Sequence, residues 1–104
     1  MADCAKKWEK VSNEYRRYIK LEKRLSENTV DAYMRDLEEF AHYILRTFEV
    51  APERVEPPMI ERFMMWLYEQ GRSSASQGRR LSGVKSFYNF LLLGDRVEQL
   101  PTEY

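Results

Sequence analysis

Hydroxyl and cationic side chains recur between Ser73 and Leu93 in a pattern that could bind an anion. They are Ser76, Arg79, Arg80, Ser82, Lys85, Ser86 and Asn89, and no carboxylate lies between Arg72 and Leu93 to pair with the cations. Hydroxyls, guanidinium groups and the open amides of a helix N-terminus bind phosphate oxygens. The pattern therefore favours phosphate binding, and the alternative is a solvated polar face, which is what most charged runs are.

The element that must position these groups is a helix over the same stretch. Apolar residues recur at helical spacing on its other side, at Leu81, Val84, Tyr88 and Leu91, with Phe87 and Leu92 widening the stripe. A stripe of this width is built to be buried. Gly94 is expected to end the helix.

Three further helices are predicted before it. The first runs from about Asp3, as N-cap, to Lys23, with Trp8, Val11, Tyr15, Tyr18 and Ile19 buried. The second begins at Ser26 or Asn28, both competent N-caps, and runs to about Thr47. Its buried stripe is Val30, Tyr33, Met34, Leu37, Phe40, Ala41, Ile44 and Leu45.

The third helix follows a proline-rich loop from Phe48 to Pro58. It is predicted to run from near Pro58 to Gln70 and to bury Ile60, Phe63, Met64 and Leu67. Gly71 is expected to end it in the left-handed conformation. The fold class is therefore all-α, with four to five helices.

Composition sets the class of protein. The chain has 104 residues, of which 43% are hydrophobic, which suits one small domain. It has no apolar span of 18 residues and no signal-peptide core, so we expect no membrane association and a cytoplasmic location. The single Cys4 excludes an internal disulfide and a cysteine-rich zinc site.

The net charge of zero hides a strong segregation along the chain. Residues 1–24 sum to +4, residues 25–49 to −4, residues 50–71 to −2, residues 72–96 to +4 and the tail to −2. A basic surface is possible if the first and fourth blocks share a face, and local charge matters more than the net value for phosphate binding.

Two motifs resemble the N-terminal core-binding domain of tyrosine recombinases, the group of Xer-type recombinases and phage or mobile-element integrases. The first is Leu25-Ser-x-Asn-Thr-Val-x-x-Tyr33-x-x-Asp36-Leu37-x-x-Phe40. The second is Ser76-x-x-Arg79-x-Leu81-Ser82-x-Val84-Lys85-x-Phe87-Tyr88-x-Phe90-Leu91, where the family usually has arginine at the Lys85 position. The tail Leu100-Pro101-Thr102-Glu103 is similar to the segment that joins this domain to the catalytic domain.

The resemblance implies a single SAM-like bundle over residues 1–96, followed at 97–104 by the start of a linker to an absent catalytic domain. Such a domain forms half of a clamp on double-stranded DNA, with two helices in or near the major groove. The DNA-facing positions that it implies are Asn28, Thr29, Tyr33 and Arg35, then Ser76, Arg79, Ser82 and Lys85, with Arg80 at a position that is often apolar or variable.

Some of these positions keep a second interpretation. Tyr33 also lies on the apolar stripe, so a buried ring with an exposed hydroxyl is as good an interpretation as a groove contact. Arg35 is four residues from both Asp31 and Glu39 and could form a surface ion pair instead. Glu38 and Glu39 should point away from DNA.

The implied role is DNA integration and recombination in the full-length protein, where other protomers would be partners; the isolated domain is expected to be a monomer. No enzyme activity and no cofactor are predicted for this chain, because the family's catalytic residues belong to the C-terminal domain. His42 has no further ligands nearby in sequence and is interpreted as a solvated or capping histidine. The alternative function is a helical protein-interaction or self-association module using Met65, Trp66 and Tyr68.

Overall fold

The computed structural model describes residues 2–97 and 100–101. Four α-helices form there and no strand does: α1 (Ala2–Arg17), α2 (Glu27–Phe48), α3 (Pro57–Glu69) and α4 (Ser74–Leu93). The all-α prediction is confirmed. Two compact units divide the chain, the first ending at Pro52 and the second beginning at Glu53. Of the predicted linker, Glu98, Gln99 and Thr102 to Tyr104 lie outside the described residues.

The first unit begins with α1, which is shorter than predicted. It gives way at Tyr18 to a π-helical turn, Tyr18–Glu22, whose geometry appears in the 3.1 Å bond from the Lys23 amide to the Tyr18 carbonyl. Asp3 lies in the first turn of α1 and not at the N-cap, because the helix already includes Ala2. Trp8, Tyr15 and Ile19 are buried, as predicted.

Helix α2 packs against α1 and the π-helical turn. Its N-cap is Ser26, whose extended backbone lets the hydroxyl accept the Thr29 amide at 3.2 Å. The predicted stripe is mostly confirmed, with Val30, Met34, Leu37, Phe40, Ala41 and Ile44 buried and Tyr33 and Leu45 half-buried. Asp36 and Tyr43 are also buried, which the stripe did not predict. These two residues are seven apart and widen the buried side of α2 along one edge.

A 3-10 turn, Pro52–Arg54, spans the boundary between the two units along the chain, and α3 is the first helix of the second unit. Pro57 and Pro58 occupy the first two helical positions, where a missing N–H costs nothing, so α3 starts one residue earlier than predicted. Ile60, Phe63 and Leu67 are buried. Gly71 ends the helix with a φ of +77°, as predicted.

Helix α4 begins shortly after this turn and packs on α3. Ser73 is its N-cap and accepts the Ser76 amide at 3.1 Å. The buried residues are Val84, Phe87, Tyr88 and Leu91. Leu92 is 36% exposed, so the prediction that it widens the buried stripe is wrong. It lies two turns after Lys85 and therefore shares the solvent side of the helix.

Within the described residues, no helix is long and apolar enough to cross a membrane.

Candidate nucleic-acid interface

The solvent side of α4 collects part of the polar set that the sequence predicts. We define the outward face of α4 as six of its exposed residues: Ala75, Gly78, Arg79, Ser82, Lys85 and Asn89. Arg79, Ser82 and Lys85 follow one another at three-residue steps, which keeps them on neighbouring turns of one side. Since no carboxylate lies between Arg72 and Leu93, this face is cationic without an acidic residue of its own helix beside it.

Small residues make the same face accessible to a large partner. Ala75 and Gly78 are exposed, and a Cβ atom added at Gly78 would meet nothing within 4 Å. A surface with short side chains between cations lets a phosphodiester backbone approach the helix closely while guanidinium and ammonium groups reach around it. The outward face therefore has the charge and the shape of a phosphate-binding surface.

Ser76 and Arg80 lie elsewhere on the helix. Both are half-buried, and the Arg80 guanidinium donates from Nη1 to the Ser76 hydroxyl at 2.6 Å and to the Ser76 carbonyl at 3.4 Å. The predicted DNA-facing residues of α4 thus divide into two groups. Arg79, Ser82 and Lys85 are exposed, whereas Ser76 and Arg80 are half-buried and bind each other. Helical spacing could have predicted the half-buried position of Arg80. It lies four residues before Val84 and seven before Phe87, and both of these residues are buried.

The start of α2 holds the other predicted group. Asn28 is exposed in the first turn, whereas Thr29 is half-buried. The Ser26 hydroxyl donates to the Thr29 hydroxyl at 2.9 Å and accepts the Thr29 amide, so cap and first turn are tied together by two bonds. Asn28 is therefore the predicted residue here whose side chain is most open to a partner.

Tyr33 and Arg35 differ in their exposure on α2. Tyr33 is half-buried beside the apolar stripe, and Arg35 is exposed. Asp31, one of the two ion-pair partners suggested for Arg35, lies 3.6 Å from Arg16 Nη1 of α1. Both of those side chains are about half exposed, so the pair contributes little stability, but it shows that the end of α1 lies beside the first turns of α2.

The acidic residues of α2 are near the predicted contacts. Glu38 is exposed and Glu39 half-buried, and Glu39 follows Arg35 by one turn on the same side of the helix. A phosphate that approached Arg35 would therefore also meet the field of Glu39. The surroundings of Arg35 are accordingly less favourable for an anion than those of the two cations of the outward face of α4.

The buried side of α4 carries a strongly shifted ionisable group. Tyr88 is fully buried, and this burial raises its pKa well above 10.0, with the negative charge of Glu53 adding to the shift. Its phenol is therefore neutral at physiological pH, which suits a core residue. His42 is exposed, and the described residues contain no group of three or more His, Cys, Asp or Glu side chains that could hold a metal ion.

An apolar groove opens in the second unit between α3 and α4. Its volume is about 590 Å³, and it is lined by Ile60, Glu61, Met64, Met65, Tyr68, Gln77 and Leu81. Met65 and Tyr68 are 58% and 68% exposed. Trp66, predicted to share a surface with them, is half-buried and stacks on Phe63 with ring centroids 6.1 Å apart.

Comparison with known proteins gives consistent matches. The family profile described as "Phage integrase, N-terminal SAM-like domain" matches residues 13–93. A protein of Caldanaerobacter subterraneus assigned to the tyrosine recombinases is 33% identical over 94 residues, which cover 90% of this chain and 32% of that protein. Tyrosine recombinase XerD of Staphylococcus aureus, in strains Mu50 and N315, is 32% identical over 94 residues, with the same coverage of each chain.

The chain thus spans about a third of the length of these relatives. No solved structure matches it.

Proposed function

Because the chain belongs to the family of phage integrase N-terminal SAM-like domains, we propose that it is the DNA-binding module of a site-specific tyrosine recombinase. It holds the duplex of a recombination site through the start of α2 and the outward face of α4, in or near the major groove. DNA cleavage and joining, for integration or another recombination reaction, belong to parts of the relatives' length that this chain does not span. The location proposed is the cytoplasm, where bacterial DNA lies.

The observation that carries the proposal is the outward face of α4. Arg79, Ser82 and Lys85 are exposed on one side of a helix that contains no acidic residue. A face that served only solubility would not need this one-sided charge in a chain whose net charge is zero. Phosphates of a duplex supply the anions that the helix itself lacks.

The two groups of residues have different roles in this proposal. Arg79 and Lys85 neutralise phosphates, and Ser82 or Asn28 donates to phosphate oxygens or base edges. Tyr33 contributes its hydroxyl from a half-buried ring. Thr29, Ser76 and Arg80 act mainly by holding the helix starts in shape, since each is bonded within its own helix end.

The test is an NMR titration of the labelled chain with a short duplex at low and at moderate salt. The expected result is a set of amide shifts at residues 28–35 and 74–85 that fade as salt rises, because counterion release makes phosphate binding salt-dependent. Amides in these two segments that stay unchanged at low salt, with saturating duplex, would contradict the proposal. NMR is suited to this question because it reports position and tolerates micromolar or weaker affinity.

A second candidate function rests on the apolar groove. Met65 and Tyr68 expose apolar surface beside a cavity large enough for side chains of a partner helix. On this alternative, the chain is a protein-interaction or self-association module that does not bind DNA. Its signature is the opposite one: shifts around residues 60–68 that depend on protein concentration and are nearly indifferent to salt.

A further inference from the structure

We infer that a second cationic surface, at the end of α1, binds phosphates of the duplex next to those reached by α2. We call it the basic turn and define it as Arg17, Lys20, Lys23 and Arg24. The inference rests on the proposed function and adds to it a set of contacts outside both recombinase-like motifs. The contact is with the sugar-phosphate backbone and not with base edges.

The ion pair between α1 and α2 shows where the basic turn lies. Arg16 Nη1 lies 3.6 Å from Asp31 Oδ1, so the end of α1 lies beside the first turns of α2. The π-helical turn follows directly after Arg17 and also packs on α2. The basic turn and Asn28 therefore lie at the same end of the first unit, and a duplex that reached Asn28 would pass close to these cations.

The charge of this end is one-sided. Residues 16–24 contain five cations and one anion, Glu22. The four residues of the basic turn are all exposed, whereas the fifth cation, Arg16, is the one engaged with Asp31. A concentration of exposed cations at one end of a unit attracts a polyanion even when the whole chain is neutral.

The backbone holds the last two cations in a defined place. The Lys23 ammonium lies 5.9 Å from the centre of the Tyr18 ring, and the Lys23 amide bonds to the Tyr18 carbonyl. Arg24 has a φ of +54°, and the next amide, of Leu25, bonds back to the Ile19 carbonyl at 3.1 Å. The turn thus fixes the backbone from which the Lys23 and Arg24 side chains extend, and this reduces the entropy lost when they bind phosphate.

The test compares two triple variants with the same change of charge. In the first, Lys20, Lys23 and Arg24 are each replaced by alanine; in the control, Lys6, Lys7 and Lys10, which are exposed near the start of α1, are replaced instead. Duplex affinity is measured by fluorescence anisotropy over a range of salt concentrations. The slope of log affinity against log salt should fall by roughly 0.9 for each phosphate that the first variant no longer neutralises, and it should stay near wild type in the control.

A single substitution separates a binding role from a structural one. Arg24→Gly keeps the left-handed turn, which glycine adopts without strain, so Tm should stay the same or rise by about 4 °C while the salt slope falls by roughly 0.9. The decrease in affinity should be equal on two duplexes of unrelated sequence, because backbone contacts carry no base information. A circular dichroism melt of each variant confirms that it is folded.

Each outcome either supports the inference or overturns it. Equal decreases in the two triple variants would mean that only net charge matters, and would overturn the inference while leaving the proposed function intact. Wild-type binding by Arg24→Gly would overturn it as well. If the wild-type chain shows no salt-dependent binding to any duplex, the proposed function fails and the inference fails with it.

Discussion

The Arg80 guanidinium lies 2.6 Å from the Ser76 hydroxyl, so two residues predicted as phosphate ligands bind each other one turn apart on α4. Arg79, the neighbour of Arg80 in sequence, is exposed on the outward face. Adjacent arginines on one helix therefore have different surroundings, because consecutive residues are separated by about 100° around the helix axis.

This difference predicts that replacing Arg79 mainly weakens binding, whereas replacing Arg80 mainly lowers stability. Arg79→Ala should lower the salt slope of duplex binding by roughly 0.9, because Arg79 is proposed to neutralise a phosphate. Arg80→Ala should change binding less and destabilise the fold by up to about 1 kcal/mol, since it removes a side-chain hydrogen bond. Anisotropy titrations and urea melts of both variants check this, and a larger decrease in binding for Arg80→Ala would contradict it.

Charge reversal on the outward face should abolish binding. The double variant Arg79→Glu with Lys85→Glu places two carboxylates where phosphates are proposed to lie, so duplex binding should fall below detection at moderate salt. Its matched control is Arg54→Glu with Arg62→Glu, two exposed residues of the same unit with the same change of charge. The proposal requires the control to retain most of its affinity.

The start of α4 should depend on one hydroxyl. Ser73 accepts the Ser76 amide at 3.1 Å, so Ser73→Ala should destabilise the fold by about 1 kcal/mol. Ser74, the first helical residue, is exposed, and Ser74→Ala should have an effect near zero. Thermal melts of the two variants distinguish the loss of the N-cap hydrogen bond from a general effect of losing a hydroxyl at this helix end.

Two glycines should respond to alanine with opposite signs. Gly71 has a φ of +77°, and a Cβ atom added there would meet nothing within 4 Å, so Gly71→Ala costs about 1 kcal/mol through the backbone alone. Gly78 lies inside α4 with open space around it, so Gly78→Ala should stabilise the helix by about 1 kcal/mol. Urea denaturation gives both values, and a gain for Gly71→Ala would show that its left-handed turn is not needed.

Alkaline unfolding should involve Tyr88. Burial, with a smaller contribution from Glu53, raises the folded-state pKa of Tyr88 well above 10.0. The unfolded chain can therefore release this proton at a lower pH than the folded chain, so the stability contribution is complete below about pH 10 and is lost as pH rises above it. Stability measured against pH should fall less steeply above about pH 10 in Tyr88→Phe, and the phenolate absorbance of Tyr88 should appear only on unfolding.

Sequence periodicity predicted the helices well and their ends less well. Capping chemistry narrowed the start of α2 to Ser26 or Asn28, of which the structure uses Ser26, and the end at Gly71 followed from the conformational freedom of glycine. The π-helical turn after Arg17 was missed, because the apolar spacing continues through Tyr18 and Ile19 in the same way for an α-helix. A single π-helical turn adds one residue to one turn, and this shift is too small to change the apolar spacing of a helix of this length.

For the candidate site, side-chain type was predictable from sequence and side-chain contact was not. The absence of acidic residues in α4 already favoured anion binding over a solvated polar face, and this stays a prediction. Helical spacing from Val84 and Phe87 could also have predicted that Arg80 lies nearer the buried side of the helix than Arg79. It could not have shown that Arg16 and not Arg35 would lie beside Asp31, because that pair joins two helices and depends on how they pack.

By itself, the sequence determined the all-α class, most of the buried stripes and the family, because these depend on local propensity, on spacing along one helix and on motifs in order. Tertiary structure decided which polar groups bind one another. It placed Arg16 of α1 beside Asp31 of α2, and it buried Asp36. The physical reason is that the sequence gives the spacing of residues along one helix but not which neighbouring helix packs against it. That packing determines which side chains are covered and which remain open to a partner.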